Sequence, residues 1–344
     1  MTRHAAPSTF RHGRNHEYPV IVKAAVYKRY GPPEVLHVGV VTKPVPKENE
    51  ILIRVRAAEV TKSDCEMRSF KFAVSWFWLP LRLFMGIRRP KKLILGGYFA
   101  GEVEAVGATV SRFKPGDALF GSTQMRLGAY GEYLCLPEDF TLELKPDNLS
   151  FSEAAAVPLG GLNALHFMRR ARLQPGESLL VNGAGGSIGI FAVQIAKAMG
   201  AKVTVVDHAI KADLLRSLGA DHFIDYTRED FTTAGQTYDV IFNMVARNNY
   251  ARNIACLKPK GHYLTANPKL SDMIRSVLTS HFTDKTATYA FAGETPEELR
   301  ALKAMIEQGE VCSPVDRSYP REQAAAAHHR VETEQRLGAI TLAD

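Results

Sequence analysis

Residues 178–189 read Ser-Leu-Leu-Val-Asn-Gly-Ala-Gly-Gly-Ser-Ile-Gly, and this stretch decides the fold. Its apolar half, Ser178–Asn182, predicts a strand, and the apolar spacing from Ile188 to Met199 predicts a helix. Glycines between the two allow a tight turn, a close approach of backbone to a pyrophosphate, and close packing of helix on strand. The helix start then offers free N–H groups and the positive end of its dipole to phosphate. Gly183, Gly186 and Gly189 fall at i, i+3 and i+6, off the strict G-x-G-x-x-G spacing, so the context carries the reading. That context is a second strand, Lys202–Val206, leading into Asp207, 24 residues past Gly183. Gly183, Gly185, Gly186, Ser187 and Ile188 are therefore candidates for a dinucleotide's phosphates. Asp207 is the candidate for the adenosine ribose: a carboxylate there accepts from a 2′-OH and repels a 2′-phosphate, which favours NAD(H) over NADP(H). His208 and Lys211 lie just beyond and could meet a phosphate instead. The alternative is a glycine-rich turn without a ligand.

Outward from this turn, strands and helices alternate. A helix is expected over Lys211–Leu218 and strands over His222–Tyr226, Tyr238–Val245 and Gly261–Thr265. Thr295-Pro296-Glu297-Glu298 opens a further helix, with Thr as N-cap, Pro at N1 and Glu at N3. Such alternation makes a parallel, doubly wound sheet with helices on both faces. Before residue 150 the texture is different. Short apolar segments at 22–27, 51–58, 99–106, 118–121 and 132–136 are punctuated by Gly and Pro, as in Lys114-Pro115-Gly116-Asp117, and read as a β-rich domain. Ser150 to Glu153 carries N-cap signals before Ala154-Ala155-Ala156. The expected division is a flexible leader over 1–21, one domain over 22–150 joined by 310–344, and the dinucleotide domain over 151–309.

The chain has 344 residues, 46% hydrophobic and 23% charged, which suits two globular domains. Its net charge of +7 raises the question of a nucleic-acid partner, but the positives are spread apart from Arg88-Arg89-Pro90-Lys91-Lys92 and Lys258-Pro259-Lys260. No nucleic-acid-binding motif accompanies them, so a basic surface for an anionic cofactor is expected. Cys65, Cys135, Cys256 and Cys312 form no CxxC pair, which fits a reducing, cytoplasmic setting. The polar leader has no apolar core and is not a secretory signal. Phe72 to Met85 is the most apolar stretch, with Trp76, Phe77 and Trp78. Pro80 and Arg82 interrupt it, and it is too short to span a bilayer. It reads as aromatic lining for a substrate cleft or as a buried lid or dimer contact, and more distantly as an interfacial membrane contact.

Several stretches together resemble the zinc-free quinone oxidoreductase, zeta-crystallin-like group of the medium-chain dehydrogenase/reductase superfamily. They are Lys23-Ala24-Ala25-Val26-Tyr27, Ala100-Gly101-Glu102-Val103-Glu104-Ala105-Val106-Gly107, Phe113-Lys114-Pro115-Gly116-Asp117, Ala154-Ala155-Ala156-Val157-Pro158, the 183–189 turn, Leu218-Gly219-Ala220-Asp221 with Ile224-Asp225-Tyr226, and Tyr319-Pro320. The resemblance implies a GroES-like β domain, a Rossmann domain, an active site in the cleft between them, and a homodimer. In zinc-dependent relatives a Cys stands at the position of Thr61 and a Gly-His-Glu at Gly96-Gly97-Tyr98, so both ligand types are missing here and no zinc is expected. Cys65 reads as a free thiol.

Without a Lewis acid, activated acceptors suit the site: a quinone, or an alkene conjugated to a carbonyl. By the resemblance, Val60, Thr61 and Asp64 line the nicotinamide end. Thr61 is a candidate donor to the substrate carbonyl or the cofactor, or a plain polar wall residue. Tyr98 is a candidate proton donor, or a packed ring. Asn163 stands where relatives often carry Thr beside the nicotinamide. Asn243-Met244-Val245-Ala246 stands where relatives commonly show Asp-x-x-Gly at a strand end bordering the cofactor, so Asn243 and Val245 join the cofactor set, with Tyr226. The expected activity is hydride transfer from NAD(P)H to a small apolar carbonyl or quinone substrate. The competing readings are a non-catalytic, crystallin-like binder of nicotinamide or RNA, and a zinc alcohol dehydrogenase.

Overall fold

The computed structural model describes residues 19–72, 77–246, 248–290 and 293–344. The expected leader lies outside the described residues up to position 18, as does Trp76. The first half of the chain carries β1 (Ile21–Val26), β2 (His37–Thr42), β3 (Glu50–Val60), α1 (Lys62–Ser69), α2 (Trp78–Met85), β4 (Tyr98–Val106), β5 (Ala118–Ser122), β6 (Tyr133–Pro137) and β7 (Leu142–Leu144). Next come α3 (Phe151–Ala155) and α4 (Val157–Ala171). The alternating section is β8 (Ser178–Asn182), α5 (Ser187–Ala198), β9 (Lys202–Asp207), α6 (Ala212–Ser217), β10 (His222–Asp225), β11 (Tyr238–Asn243), α7 (Tyr250–Ala255), β12 (Leu257–Thr265), α8 (Leu270–Phe282), β13 (Thr286–Tyr289) and α9 (Pro296–Glu307). The chain closes with β14 (Val315–Tyr319), α10 (Ala324–Glu332) and β15 (Ala339–Ala343).

The alternating section forms a parallel sheet in the order β10-β9-β8-β11-β12-β13, the doubly wound arrangement expected from the sequence. Leu179, Leu180, Val181, Val203, Ile241 and Phe242 are fully buried, because helices cover both faces of such a sheet. Strand order reverses between β8 and β11, and the crevice beyond the carboxyl ends of strands at such a point is where open α/β sheets take ligands. Two glycines set the helices there. At Gly160 in α4 a Cβ would lie 2.2 Å from the Ser187 carbonyl oxygen, and at Gly189 in α5 one would lie 2.3 Å from that of Ala184.

The second sheet runs β14-β15-β3-β4-β5-β7, with β6 paired to β3. It is antiparallel except at β14–β15, and its core gathers Ile51, Ile53, Phe99, Leu119, Tyr130 and Ile340. Burying each such side chain contributes about 1.5–3 kcal/mol. β15 lies against β3 with Ile340 opposite Val60, so the last strand of the chain braces the strand that delivers Thr61. The β-rich, GroES-like unit and the Rossmann-type sheet are those read from the sequence.

Two strands differ from expectation. β11 stops at Asn243 instead of Val245: Met244 N–H makes the last bond to β8, and the Val245 carbonyl is taken by the Asn243 and Asn248 side chains instead of a strand. β12 begins at Leu257 rather than Gly261.

Candidate active site

The glycine turn is held from both sides. Gly183 has φ +89°, a left-handed conformation that glycine adopts freely. Gly183 and Ala184 N–H both reach the Val206 carbonyl, tying the turn to β9. α5 starts after Gly186, which brings no side-chain cap, so the first N–H groups of the helix stay open to an anion. Beneath the turn, Asp207 accepts from Gly185 N–H (2.7 Å) and from His208 N–H (2.8 Å). Lys211 Nζ lies 3.3 Å from the same carboxylate and donates to the Gly185 carbonyl (3.2 Å). Both side chains are buried, and their charges offset each other. The sequence reading gives Asp207 to the ribose 2′-OH. In the structure part of its hydrogen-bonding capacity goes to shaping the turn.

A cleft of about 1190 Å³ lies over this floor. Gly183, Gly186, Ser187, Ile188, Asp207, His208, Lys211, Tyr226 and Val245 line it, so the structure brings most of the expected cofactor residues together. Four stand back from it. Gly185 spends its N–H on Asp207 beneath the turn. Val60 is fully buried in the β-rich core. Asn163 spends its amide on the Leu159 carbonyl one turn back in α4 (2.9 Å). Asn243 is buried under the switch point, where it accepts from Asn182 Nδ2 (2.8 Å) and donates to the Val245 carbonyl (3.0 Å). The Asn182–Asn243 bond links the two strand ends, so Asn243 shapes the cleft from below.

The facing wall comes from distant sequence. Arg336 is 7% exposed; its Nη2 lies 3.4 Å from Ser187 Oγ, and its Nη1 has no partner. Ser187 Oγ donates to Glu59 Oε1 (2.9 Å), while Glu59 Oε2 is buried without a partner. Burial pushes the Glu59 carboxyl up to about 8, against the pull of Arg336 and Ser187. The sequence reading missed both residues. Glu59 lies 128 positions from Ser187 and Arg336 lies 149, beyond any local motif.

Past Ser63, Glu66 and Phe77 the cleft opens into a second cavity of about 480 Å³. Met67, Phe72, Phe77 and Leu81 give it an apolar wall; Thr61, Asp64, Tyr98 and Glu294 give it a polar end. Thr61 caps α1, accepting from Asp64 N–H (3.0 Å) and donating its own hydrogen to Asp64 Oδ2 (2.6 Å). Asp64 also accepts from Gly96 N–H (3.1 Å), and burial raises its carboxyl above the ordinary range. The hydrogen that the sequence reading offers to a substrate carbonyl or the cofactor is here committed to Asp64. Tyr98 OH donates to Glu294 Oε1 (2.6 Å), and Ser122 Oγ donates to the other oxygen of that carboxylate. Burial, then the Glu294 charge, holds the phenol well above its ordinary value, so it keeps its proton.

Comparison with known proteins matches this architecture. Residues 47–147 match the alcohol dehydrogenase GroES-like domain, and residues 218–342 match the zinc-binding dehydrogenase domain. The chain is 31% identical to a quinone oxidoreductase of Pseudomonas aeruginosa, over 94% of this chain and 99% of that one. The chain belongs to the quinone oxidoreductase family of medium-chain dehydrogenases/reductases. An Arabidopsis thaliana protein described as a chloroplastic NADPH-dependent alkenal/one oxidoreductase is 30% identical, over 94% of this chain and 80% of that one. A solved quinone oxidoreductase from Coxiella burnetii superposes with a TM-score of 0.83 at 26% identity, covering 94% of this chain and all of that one.

The family name of one matched domain mentions zinc, and the donor set of this family member argues against it. Thr61 and Gly97 stand at the two positions named from the sequence, and Asp64 is already filled with donors. Among the described residues no three His, Cys, Asp or Glu side chains come together. Cys65 Sγ does lie 3.3 Å from His328 Nδ1, a pairing not expected from the sequence. Arg68 Nη1 stands at 3.3 Å from that same nitrogen, and Tyr130 OH holds the other at 3.1 Å. Burial keeps this imidazole neutral down to about 3, and the Cys65 thiol is pushed up. Arg68 already sets a positive charge against the nitrogen that a cation would need. The residues present do not fit a catalytic zinc.

Proposed function

We propose that this quinone oxidoreductase family member is a zinc-independent, NAD(P)H-dependent reductase that delivers a hydride to a quinone or an α,β-unsaturated carbonyl. The observation that carries the reading is one continuous cleft. Its floor is an uncapped helix start at a topological switch point, and its far end is an apolar cavity with a polar tip. A bound dihydronicotinamide supplies the hydride from C4.

The chain's own groups do the rest. The N–H groups at the start of α5 and the unpartnered Arg336 Nη1 suit the pyrophosphate. Asp207 retains acceptor capacity for a ribose 2′-OH, and its charge opposes a 2′-phosphate, so the reading keeps NAD(H) ahead of NADP(H). His208 and Lys211 temper that preference. The apolar wall takes the ring or alkene and keeps water out, while Asp64, aimed by Thr61, shapes the polar tip. Tyr98 is assigned the proton that follows the hydride, and its O–H must turn away from Glu294 Oε1 to deliver it. A site without a Lewis acid suits acceptors that are already electrophilic.

Residues 22–150 with 310–344 are assigned to the GroES-like unit, and 151–309 to the dinucleotide unit. A homodimer is proposed through β13 and α8. β13 is the edge strand of the parallel sheet, and the outer face of α8 exposes Leu270, Ile274, Val277 and Leu278. Four free cysteines suit a reducing, cytoplasmic setting, and no helix among the described residues is long and apolar enough to cross a membrane. The test is a screen of quinones and enones with NADH and NADPH, alongside elemental analysis of the pure protein. Cofactor oxidation by at least one acceptor class, without stoichiometric zinc, is expected. Absence of turnover across the panel, or one zinc per chain, would overturn the proposal.

A further inference from the structure

Helix α2 carries its polar residue on the inside. With 3.6 residues per turn, Leu81 and Met85 fall on one side of the helix and Leu79, Pro80, Leu83 and Phe84 on the other. Met85 is buried and Leu81 walls the acceptor cavity, so the first side faces the protein. Arg82 is drawn inward as well, its guanidinium 4.2 Å from the ring centroids of both Tyr30 and Phe70. What remains for solvent is apolar: Leu79 is 61% exposed, Leu83 53% and Phe84 40%. Beyond Gly86, Ile87 and Leu93 are also exposed, at 62% and 44%.

Cations surround this patch. Arg88, Arg89 and Lys91 are exposed, and Lys92 Nζ lies 6.0 Å from the Phe84 ring centroid. Tyr27 N–H bonds the Leu93 carbonyl (3.0 Å), which brings exposed Lys28 and Arg29 to the same rim. Positions 67–101 contain Arg68, Lys71, Arg82, Arg88, Arg89, Lys91 and Lys92 and no Asp or Glu. Among the described residues, none of Arg88, Arg89, Lys91 and Lys92 pairs with a carboxylate.

A contiguous exposed apolar cluster marks an interaction surface. Leu and Phe on an outward helix face, ringed by Lys and Arg, match the chemistry of a lipid interface: apolar side chains enter the acyl boundary and cations meet the headgroup phosphates. A second copy on this face would press one basic rim against another, whereas an anionic bilayer neutralises the rim. We propose that α2 and the turn at 86–93 form a docking surface for an anionic lipid bilayer. Docking sets Leu79, Leu83 and Phe84 against the membrane with the acceptor cavity directly behind them, so an apolar acceptor dissolved in lipid has a short path to the polar tip. That last consequence rests on the reductase reading; the docking itself does not.

The test is flotation of the full chain with vesicles of phosphatidylcholine alone and of phosphatidylcholine mixed with phosphatidylglycerol, at low and high salt. Binding to the anionic vesicles is expected, weakened by salt, with little binding to the neutral ones. The double variant Arg88→Glu/Arg89→Glu should bind anionic vesicles at least about tenfold more weakly. Leu79→Gln/Leu83→Gln should lose binding to a similar degree even at low salt. Both pairs are exposed, and their melting temperature and turnover of a water-soluble quinone should match the parent. Wild-type protein that stays unbound, equal binding to both vesicle types, or charge-reversed protein that binds like the parent would overturn the proposal. So would a halving of solution mass in the leucine variants, which would place a second copy on this face. Failure of all quinone turnover would remove the reductase reading and leave the vesicle result standing.

Discussion

Replacing Glu59 with Gln isolates the clearest electrostatic feature of the cleft. Glu59 is fully buried at the joint between β3, Ser187 and Arg336, and burial moves its carboxyl from an ordinary 4.5 to about 8. A raised folded-state value means that the folded chain keeps a proton which the unfolded chain gives up. The stabilisation is complete below 4.5 and drains away as pH climbs to about 8. The difference of 3.5 units (8 less 4.5) at about 1.4 kcal/mol each sets a ceiling of about 5 kcal/mol. That shift already includes the pull of Arg336, so the expected loss is a few kcal/mol, bounded by that ceiling. Glu59→Gln keeps an acceptor for Ser187 Oγ and removes the titration. Urea midpoints of parent and variant across that window should therefore converge at low pH and separate as pH rises, with the parent losing ground. Parallel curves would show that Glu59 titrates as an ordinary carboxylate. A parent that gains on the variant with rising pH would show an ionised Glu59 paired to Arg336, and either result would refute the reasoning.

Three further outcomes follow from the same geometry. In Gly185→Ala the new Cβ would sit 2.1 Å from Lys211 Cδ, so the Asp207–Lys211 support must shift; calorimetry should show dinucleotide affinity down by at least about tenfold, and an unchanged affinity would contradict the assigned floor. Tyr98→Phe removes the hydroxyl facing Glu294 and should lower kcat by about 100-fold or more with KM little changed; an unaltered kcat would reduce Tyr98 to a wall residue. His328 is neutral in the fold with a value lowered from 6.5 to about 3, so its stabilisation is present above 6.5 and is lost as pH falls between those values. His328→Gln should blunt the acid loss in thermal melts, and an undiminished loss would assign it elsewhere.

The parallel sheet was legible because its signals are local. Ser178–Asn182 is an uninterrupted apolar run, Gly183 marks a positive φ, and Thr295-Pro296 announces α9, each within a few residues. α8 went unread although Leu270, Ile274, Val277 and Leu278 stand at helical spacing; its N-cap Lys269 brings no side-chain cap to mark the start, and the stripe is exposed. The floor of the site could be read for the same reason as the sheet. The walls could not: Arg336, Glu59 and Glu294 reach it only through tertiary pairing, 149, 128 and 196 residues from the groups they contact. Thr61 and Tyr98, named from the sequence, both line the second cavity, but their hydrogen bonds were not foreseeable, because Glu294 comes from 196 residues beyond Tyr98 and the capping of α1 uses Thr61.

Titration of the purified chain with NADH and with NADPH tests the central claim most directly. The account predicts saturable, one-to-one binding of at least one of them, tighter for NADH, that is weakened by Gly185→Ala. No measurable binding of either dinucleotide, or binding indifferent to that substitution, would contradict it.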